Sequence, residues 1–228
     1  KLNTGLVNII TAEDPVEYEL AGINQVQVNP KAGLTFASAL RAMLRQDPDI
    51  IMVGEMRDRE TATIAIEAAL TGHLVLSTLH TNDASSAPPR LTEMGVEPFM
   101  IASSLIGVLA QRLVRTLCPR CKEPYTPDPA EFRRYGFELP SNWHNDTVYR
   151  PKGCEACKNT GYKGRTGIHE LLVMSDPVRD LILQHSAAYA IQTVAVQNGL
   201  RLLKEDALQK VLLGRTSLEE IVRVIYSG

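Results

Sequence analysis

The chain has 228 residues, of which 44% are hydrophobic and only 5% aromatic, enough for one large core or two modest ones built from Ile, Leu, Val and Ala. With 24 basic against 26 acidic residues the net charge is −2, a balance that gives no support to a nucleic-acid partner, whose footprint is usually a basic stripe. The longest apolar stretch, residues 99–110, is interrupted by Ser103, Ser104 and Gly107 and is too short to span a bilayer.

Leu6, Val7, Ile9 and Ile10 predict a first strand, which gives way to the carboxylates Glu13, Asp14 and Glu17 around Pro15. Residues 23–29, INQVQVN, alternate as an edge strand should. Thr35 predicts the cap of a helix over 36–45, whose apolar positions 36, 40, 43 and 44 form one stripe. IIMV at 50–53, bounded by Pro48 and Gly54, reads as a buried parallel strand with Glu55 just past its carboxyl end. Asp58 predicts the cap of an alanine-rich helix over 59–70. A further strand over 74–79 is flanked by His73 and His80 and followed by Thr81, Asn82 and Asp83. Pro88 and Pro89 should break or delay a helix over 85–94.

Strands separated by helices imply βαβ crossovers and a largely parallel sheet, so residues 1–117 read as one α/β domain. Three of its strands end in groups that handle protons, metal or phosphate, at the edge where open α/β sheets bind ligands. A carboxylate at Glu55 can polarise a water for attack on phosphate. The alternative for Glu55 is a solvated strand-end carboxylate. For Asp14 it is an Asx-type cap before Pro15, for His73 a structural histidine, and for Arg59 a solvated face.

Residues 118–167 differ in kind, being proline-dense, weakly periodic and the home of all four cysteines. They read as a small domain held by something other than a core. Cys118, Cys121, Cys154 and Cys157 form two C-x-x-C pairs, and two such knuckles complete a closed tetrahedral zinc shell. Two disulfides or four free thiols are the alternatives. Arg165 with Gly161, Gly164 and Gly167 reads as a return turn. Residues 168–228 read as a helical domain. Asp176 caps 177–185, a helix over 200–213 ends at Gly214, and Ser217 with Glu220 makes a capping box for a last helix to Tyr226.

Three motifs carry a resemblance: NIITAEDPVEY at 8–18, LRQDPDIIMVGEMRD at 44–58 and TGHLVLSTLHTND at 71–83. They resemble, in order, the acidic box, the degenerate Walker B motif and the histidine box of the secretion and pilus-assembly ATPases. AQRLVRTLC at 110–118 and GYKGRTGIHELL at 161–172 extend the resemblance along nearly the whole chain. It implies a RecA-like ATPase core in a cytoplasmic homo-hexamer, which hydrolyses ATP with magnesium to power pilin or pseudopilin assembly. It also implies peripheral association with the inner membrane through a platform protein and a cytoplasmic docking protein, and a structural zinc on the tetracysteine insertion.

The resemblance implies Glu55 and Glu13 as catalytic, with Asp14, Glu17, His80, His73, Arg57 and Arg112 around nucleotide and magnesium. The motif G-x-x-x-x-G-K-[ST] does not occur in the chain. A phosphate cradle of backbone amides and a lysine cannot be replaced by a glutamate and histidines. The expectation is therefore a piece cut after that loop, inactive alone and monomeric or weakly associated. Two other readings compete. One is a non-catalytic zinc-bearing interaction module, supported by the missing loop. The other is a nucleic-acid-directed RecA-like ATPase, opposed by the neutral charge and sparse aromatics.

Overall fold

The computed structural model describes residues 1–140 and 147–226. These divide into two compact units, neither of them continuous in sequence. The first comprises Lys1–Thr81, Ser85–Val108 and Val173–Val194; the second comprises Asn82–Ala84, Leu109–Leu172 and Ala195–Gly228. These units cut across the three consecutive domains expected from the sequence.

The first unit is built on β1 (Ile9–Glu13), β2 (Asn24–Gln27), α1 (Phe36–Met43), β3 (Ile50–Val53), α2 (Arg59–Leu70) and β4 (Leu74–Ser77). The strands form one sheet in the order β2-β1-β3-β4, and each neighbouring pair is parallel. β1 and β3 are central and mostly buried, as near-continuous apolar runs require. β2 is the half-exposed edge its alternation predicts. Thr35 and Ser38 form a reciprocal capping box at α1, and Asp58 accepts from the Thr61 backbone N–H at 2.8 Å to start α2. Ile10, Ala12, Leu40, Met43, Ile51, Val53 and Ile64 form the core between sheet and helices.

α3 (Ala87–Glu93) and α4 (Pro98–Ser104) follow. Pro88 and Pro89 occupy the first turn of α3, where a backbone N–H has no intrahelical acceptor, so they delay the helix without breaking it.

The second unit contains most of β5 (Gly107–Leu117) and β8 (Tyr162–Val173), which pair as a two-stranded sheet. Between them in sequence lie β6 (Glu123–Tyr125), α5 (Pro129–Arg134) and β7 (Val148–Arg150), with β6 and β7 antiparallel. Two expectations fail here. Gly161 immediately precedes β8, and Gly164, Arg165 and Gly167 lie within it, so there is no return turn, and strand continues to Val173 where helix was expected. The cysteine segment is not coreless either. Phe132, Phe137 and Val148 are buried with Val114 and Ile168 against residues of α8 (Leu203–Leu212) and α9 (Leu218–Tyr226).

α6 (Asp176–Leu183) starts one residue earlier than expected and packs on α4, where Arg179 donates to the Ala102 carbonyl. This contact returns residues 173–194 to the first unit. α7 (Ala188–Gln197) was not foreseen. Among the described residues no helix is long and apolar enough to cross a membrane.

Candidate functional site

Because β1, β3 and β4 are parallel and adjacent in the order β1-β3-β4, their carboxyl ends share one edge of the sheet. Glu55 leaves β3 at that edge, with its side chain 15% exposed. The exit is tightly fixed. Gly54 N–H donates to the Ala12 carbonyl at 2.8 Å, and Met56 N–H donates to the Thr78 carbonyl at 3.0 Å. The Thr78 hydroxyl donates back to the Gly54 carbonyl at 2.6 Å. A Cβ on Gly54 would stand 3.1 Å from the Ala12 oxygen, so glycine permits this approach.

Two of the expected neighbours converge on Glu55. Arg57 Nε lies 2.6 Å from Glu55 Oε2, and His80 Nε2 lies 3.4 Å from the same oxygen. Both partners are largely exposed, so they present a proton-handling and a cationic group to whatever enters the edge.

Glu13 ends β1 on the same edge. Its Oε1 accepts from the Thr11 hydroxyl at 2.5 Å and from Gln25 Nε2 at 2.8 Å. Gln25 in turn accepts from Leu20 N–H at 2.6 Å, which ties the loop after Glu13 to the edge strand. The sequence reading missed Thr11 and Gln25 as holders of Glu13. The available signal was period two, since Thr11 and Glu13 share a strand face. Asp14 and Glu17 are exposed beyond β1, and among the described residues neither is bonded to Glu55.

His73 is placed elsewhere. It precedes β4, whose first residue pairs with Ile50, so it sits at the amino edge of the sheet. The length of β3, about 13 Å for four residues, separates the two edges. Its Nδ1 is 2.9 Å from the Ala68 carbonyl and 3.2 Å from the Thr71 hydroxyl, a structural use at the end of α2. Arg112 belongs to the second unit and donates to the Val224 carbonyl at 2.7 Å, near the end of α9. Arg59 lies along Gly95, its Cδ filling the space a Cβ there would need.

The second constellation is the four cysteines. Their sulfurs all lie within 4.8 Å of one another. Cys118–Cys154 is 3.9 Å, while Cys121–Cys157 and Cys154–Cys157 are each 3.8 Å. Four thiolates about 2.3 Å from a central ion in a tetrahedron stand about 3.8 Å apart, so the cluster fits a metal of zinc's size. These cysteines can hold a metal ion, and disulfides are not formed.

The local folds aim the sulfurs. Cys157 Sγ accepts from the N–H groups of Cys154 and Gly161, both at 3.2 Å. Burial alone would raise the Cys157 thiol, but those two N–H groups and the thiols of Cys121 and Cys154 bring it down to about 6. Burial pushes Cys121 up to about 12.

A third feature, absent from the sequence reading, is Glu170 on β8, 2% exposed. Burial raises its carboxyl above the usual range, against hydrogen bonds from the Leu203 and Ala84 N–H groups, while Asp83 and Glu205 push it further up.

The family described as "Type II/IV secretion system protein" matches residues 1–223. The "Type IV pilus assembly ATPase PilB" of Thermus thermophilus is 59% identical over 215 residues, covering 94% of this chain and 24% of its own length. The "Type II secretion system protein E" of Dickeya dadantii is 53% identical over 224 residues, covering 98% of this chain and 44% of its own. The chain thus spans less than half the length of either relative. Among solved structures, the pilus retraction motor PilT with bound ADP matches at a TM-score of 0.66 and 28% identity, over 94% of this chain and 51% of that one.

Proposed function

Because the chain belongs to the type II/IV secretion system protein family, we propose that it carries the water-activating side of an ATPase powering pilus assembly or type II secretion. The observation that carries this reading is Glu55, fixed at the carboxyl edge of a parallel sheet beside Arg57 and His80. Glu55 takes the proton of a water attacking the terminal phosphate of ATP. Arg57 offsets phosphate charge, and His80, 3.4 Å from Glu55, senses whether that phosphate is present. Glu13 and Asp14 are hard oxygen donors suited to orient the water shell of magnesium, which would neutralise charge on the phosphates. His73 is bonded at the end of α2 and Arg112 near the end of α9, and this reading assigns neither a step in the chemistry.

The loop cradling the phosphates comes from the longer protein of which the chain is a part in this reading. That protein works as a cytoplasmic hexamer against an inner-membrane platform and a docking protein. The four cysteines would hold a zinc ion, and because the chain itself supplies four thiolate ligands, that ion would serve structure and not chemistry.

The test is Glu55→Gln in the protein that joins this chain to a phosphate-binding loop. The amide keeps the shape and removes the base. ATP binding should stay within about twofold while turnover falls at least ~100-fold. Unchanged turnover would remove Glu55 from the chemistry.

A further inference from the structure

We propose that Glu170 is a positioning residue that joins the segment following His80 to the first turn of α8, and so carries the nucleotide state read at His80 into the second unit. The proposal rests on the ATPase reading above.

The chain passes from the first unit into the second at Asn82 and leaves it after Ala84, only four residues beyond His80. Within the second unit, Glu170 Oε1 accepts from the Ala84 N–H at 3.0 Å, and Oε2 accepts from the Leu203 N–H at 3.1 Å. These donors lie 86 and 33 residues away in sequence, so one carboxylate ties together three remote pieces of chain. Ala84 is fully buried and Leu203 is 9% exposed, so water does not compete for either bond.

The chemistry of the contact argues for a connector. A buried carboxylate held by two neutral backbone donors is costly compared with an apolar side chain of similar volume. Glu220, by contrast, is buried with two arginines on it. What only a carboxylate provides at position 170 is two acceptors at once, one per oxygen. Leu203 opens α8, where a backbone N–H has no intrahelical partner, so Glu170 also caps that helix from a distance. A shift of the segment after His80 is therefore felt at the amino end of α8.

Two variants break the connector in different ways. Glu170→Gln keeps size but turns a donor toward one of the two N–H groups. Leu203→Pro removes the N–H on the α8 side and leaves Glu170 intact. Proline suits this first helical position, and Leu202 before it already has φ −70° and ψ 153°, which a following proline accepts.

The experiment is hydrogen exchange and steady-state kinetics on the nucleotide-binding protein, comparing ADP with a non-hydrolysable ATP analogue. In wild type, protection at 82–85 and at 202–206 should change together between the two nucleotides. In either variant the change at 82–85 should persist while 202–206 stops responding. Turnover should fall about tenfold with KM for ATP unchanged, the size of a typical coupling between sites.

Joint responses in both variants with kcat intact would overturn the inference. So would a wild type that turns over ATP without any response at 202–206. Glu55→Gln run alongside separates the two levels. A wild type with no turnover sinks both readings, whereas an active wild type, a dead Glu55→Gln and unchanged connector variants sink this one alone.

Discussion

Glu220 is wholly buried, and both of its oxygens are used by two guanidiniums. Arg115 donates through Nε and Nη2 to Oε2 at 2.9 and 2.6 Å, and its backbone N–H reaches Oε1 at 2.9 Å. Arg223 adds bonds to both oxygens from one turn away on α9. The Arg115 guanidinium also stacks 4.1 Å over the Tyr162 ring, whose hydroxyl is 2.7 Å from Ser217 Oγ. The sequence expectation of a capping box is half met. Ser217 Oγ accepts from the Glu220 N–H at 3.2 Å, but the Glu220 side chain is drawn to Arg115, 105 residues away, a partner no local pattern discloses.

Burial alone would raise this carboxyl, but the hydrogen bonds from Arg223 and Arg115 outweigh it and take it from 4.5 down to about 2. A carboxyl depressed on folding contributes stability that is present above its unfolded value and lost as pH falls through its folded one. The contribution should therefore be whole above about pH 4.5 and vanish toward pH 2. Glu220→Gln should cost roughly 3 kcal/mol at pH 7, the scale of breaking a buried pair. Urea unfolding of both proteins at pH 7 and pH 3 checks this. A gap that does not narrow at pH 3 would contradict the assignment.

The elements of the first unit could be read from sequence because local pattern and environment agree there. Ile50–Val53 is buried as a central strand, Asp58 caps a helix whose ends match the expected 59–70, and Thr35 caps α1. β5 and β8 could not be read, for identifiable reasons. Along β8 the inward positions are Ile168, Glu170 and Leu172, so a charged residue interrupts the apolar face, while the outward Leu171 and Val173 fill the polar one. β5 likewise turns Leu109 and Leu113 outward. Two-stranded pairing with apolar residues on both faces carries no period-two signal.

Where β1 and β3 meet, a packing test is available. A methyl on Gly54 would press the Ala12 oxygen at 3.1 Å and touch Glu13 Cα and the Phe36 ring at 3.5 Å. Gly54→Ala should cost about 1–2 kcal/mol, as small overpacking does. It should also displace the Glu55 backbone, so turnover should fall several-fold more than the stability loss explains. Equal activity at a temperature where the variant is fully folded would show that the site tolerates the shift.

For the whole molecule, the chain visits each unit more than once, which reading in sequence order cannot anticipate. Residues 173–194 rejoin the first unit because α6 packs on α4, and 195–228 join the second because α8 and α9 close its core. The C-x-x-C pairs were legible as a cluster able to hold a metal ion, but the core beside them was not, since Phe132, Phe137 and Val148 find their partners in helices far along the chain.

In the zinc reading proposed above, that core decides what metal removal will do. The cysteines link the end of β5 to the chain just before β8, and the Cys118 N–H donates to the Gly161 carbonyl at 2.9 Å. A closed zinc site contributes folding free energy. Here, however, the apolar cluster of Val114, Phe132, Phe137, Val148, Ile168, Val211 and Ile221 remains without it, at about 1.5–3 kcal/mol per large side chain buried. The expected outcome is local loosening. Elemental analysis should find about one zinc per chain. A strong chelator should lower Tm and expose amides at 118–122 and 154–161, while exchange across α8, α9 and the parallel sheet stays slow. Global unfolding on chelation would mean that the metal, and not the core, holds the second unit. Metal-free protein with unchanged Tm would remove the structural zinc.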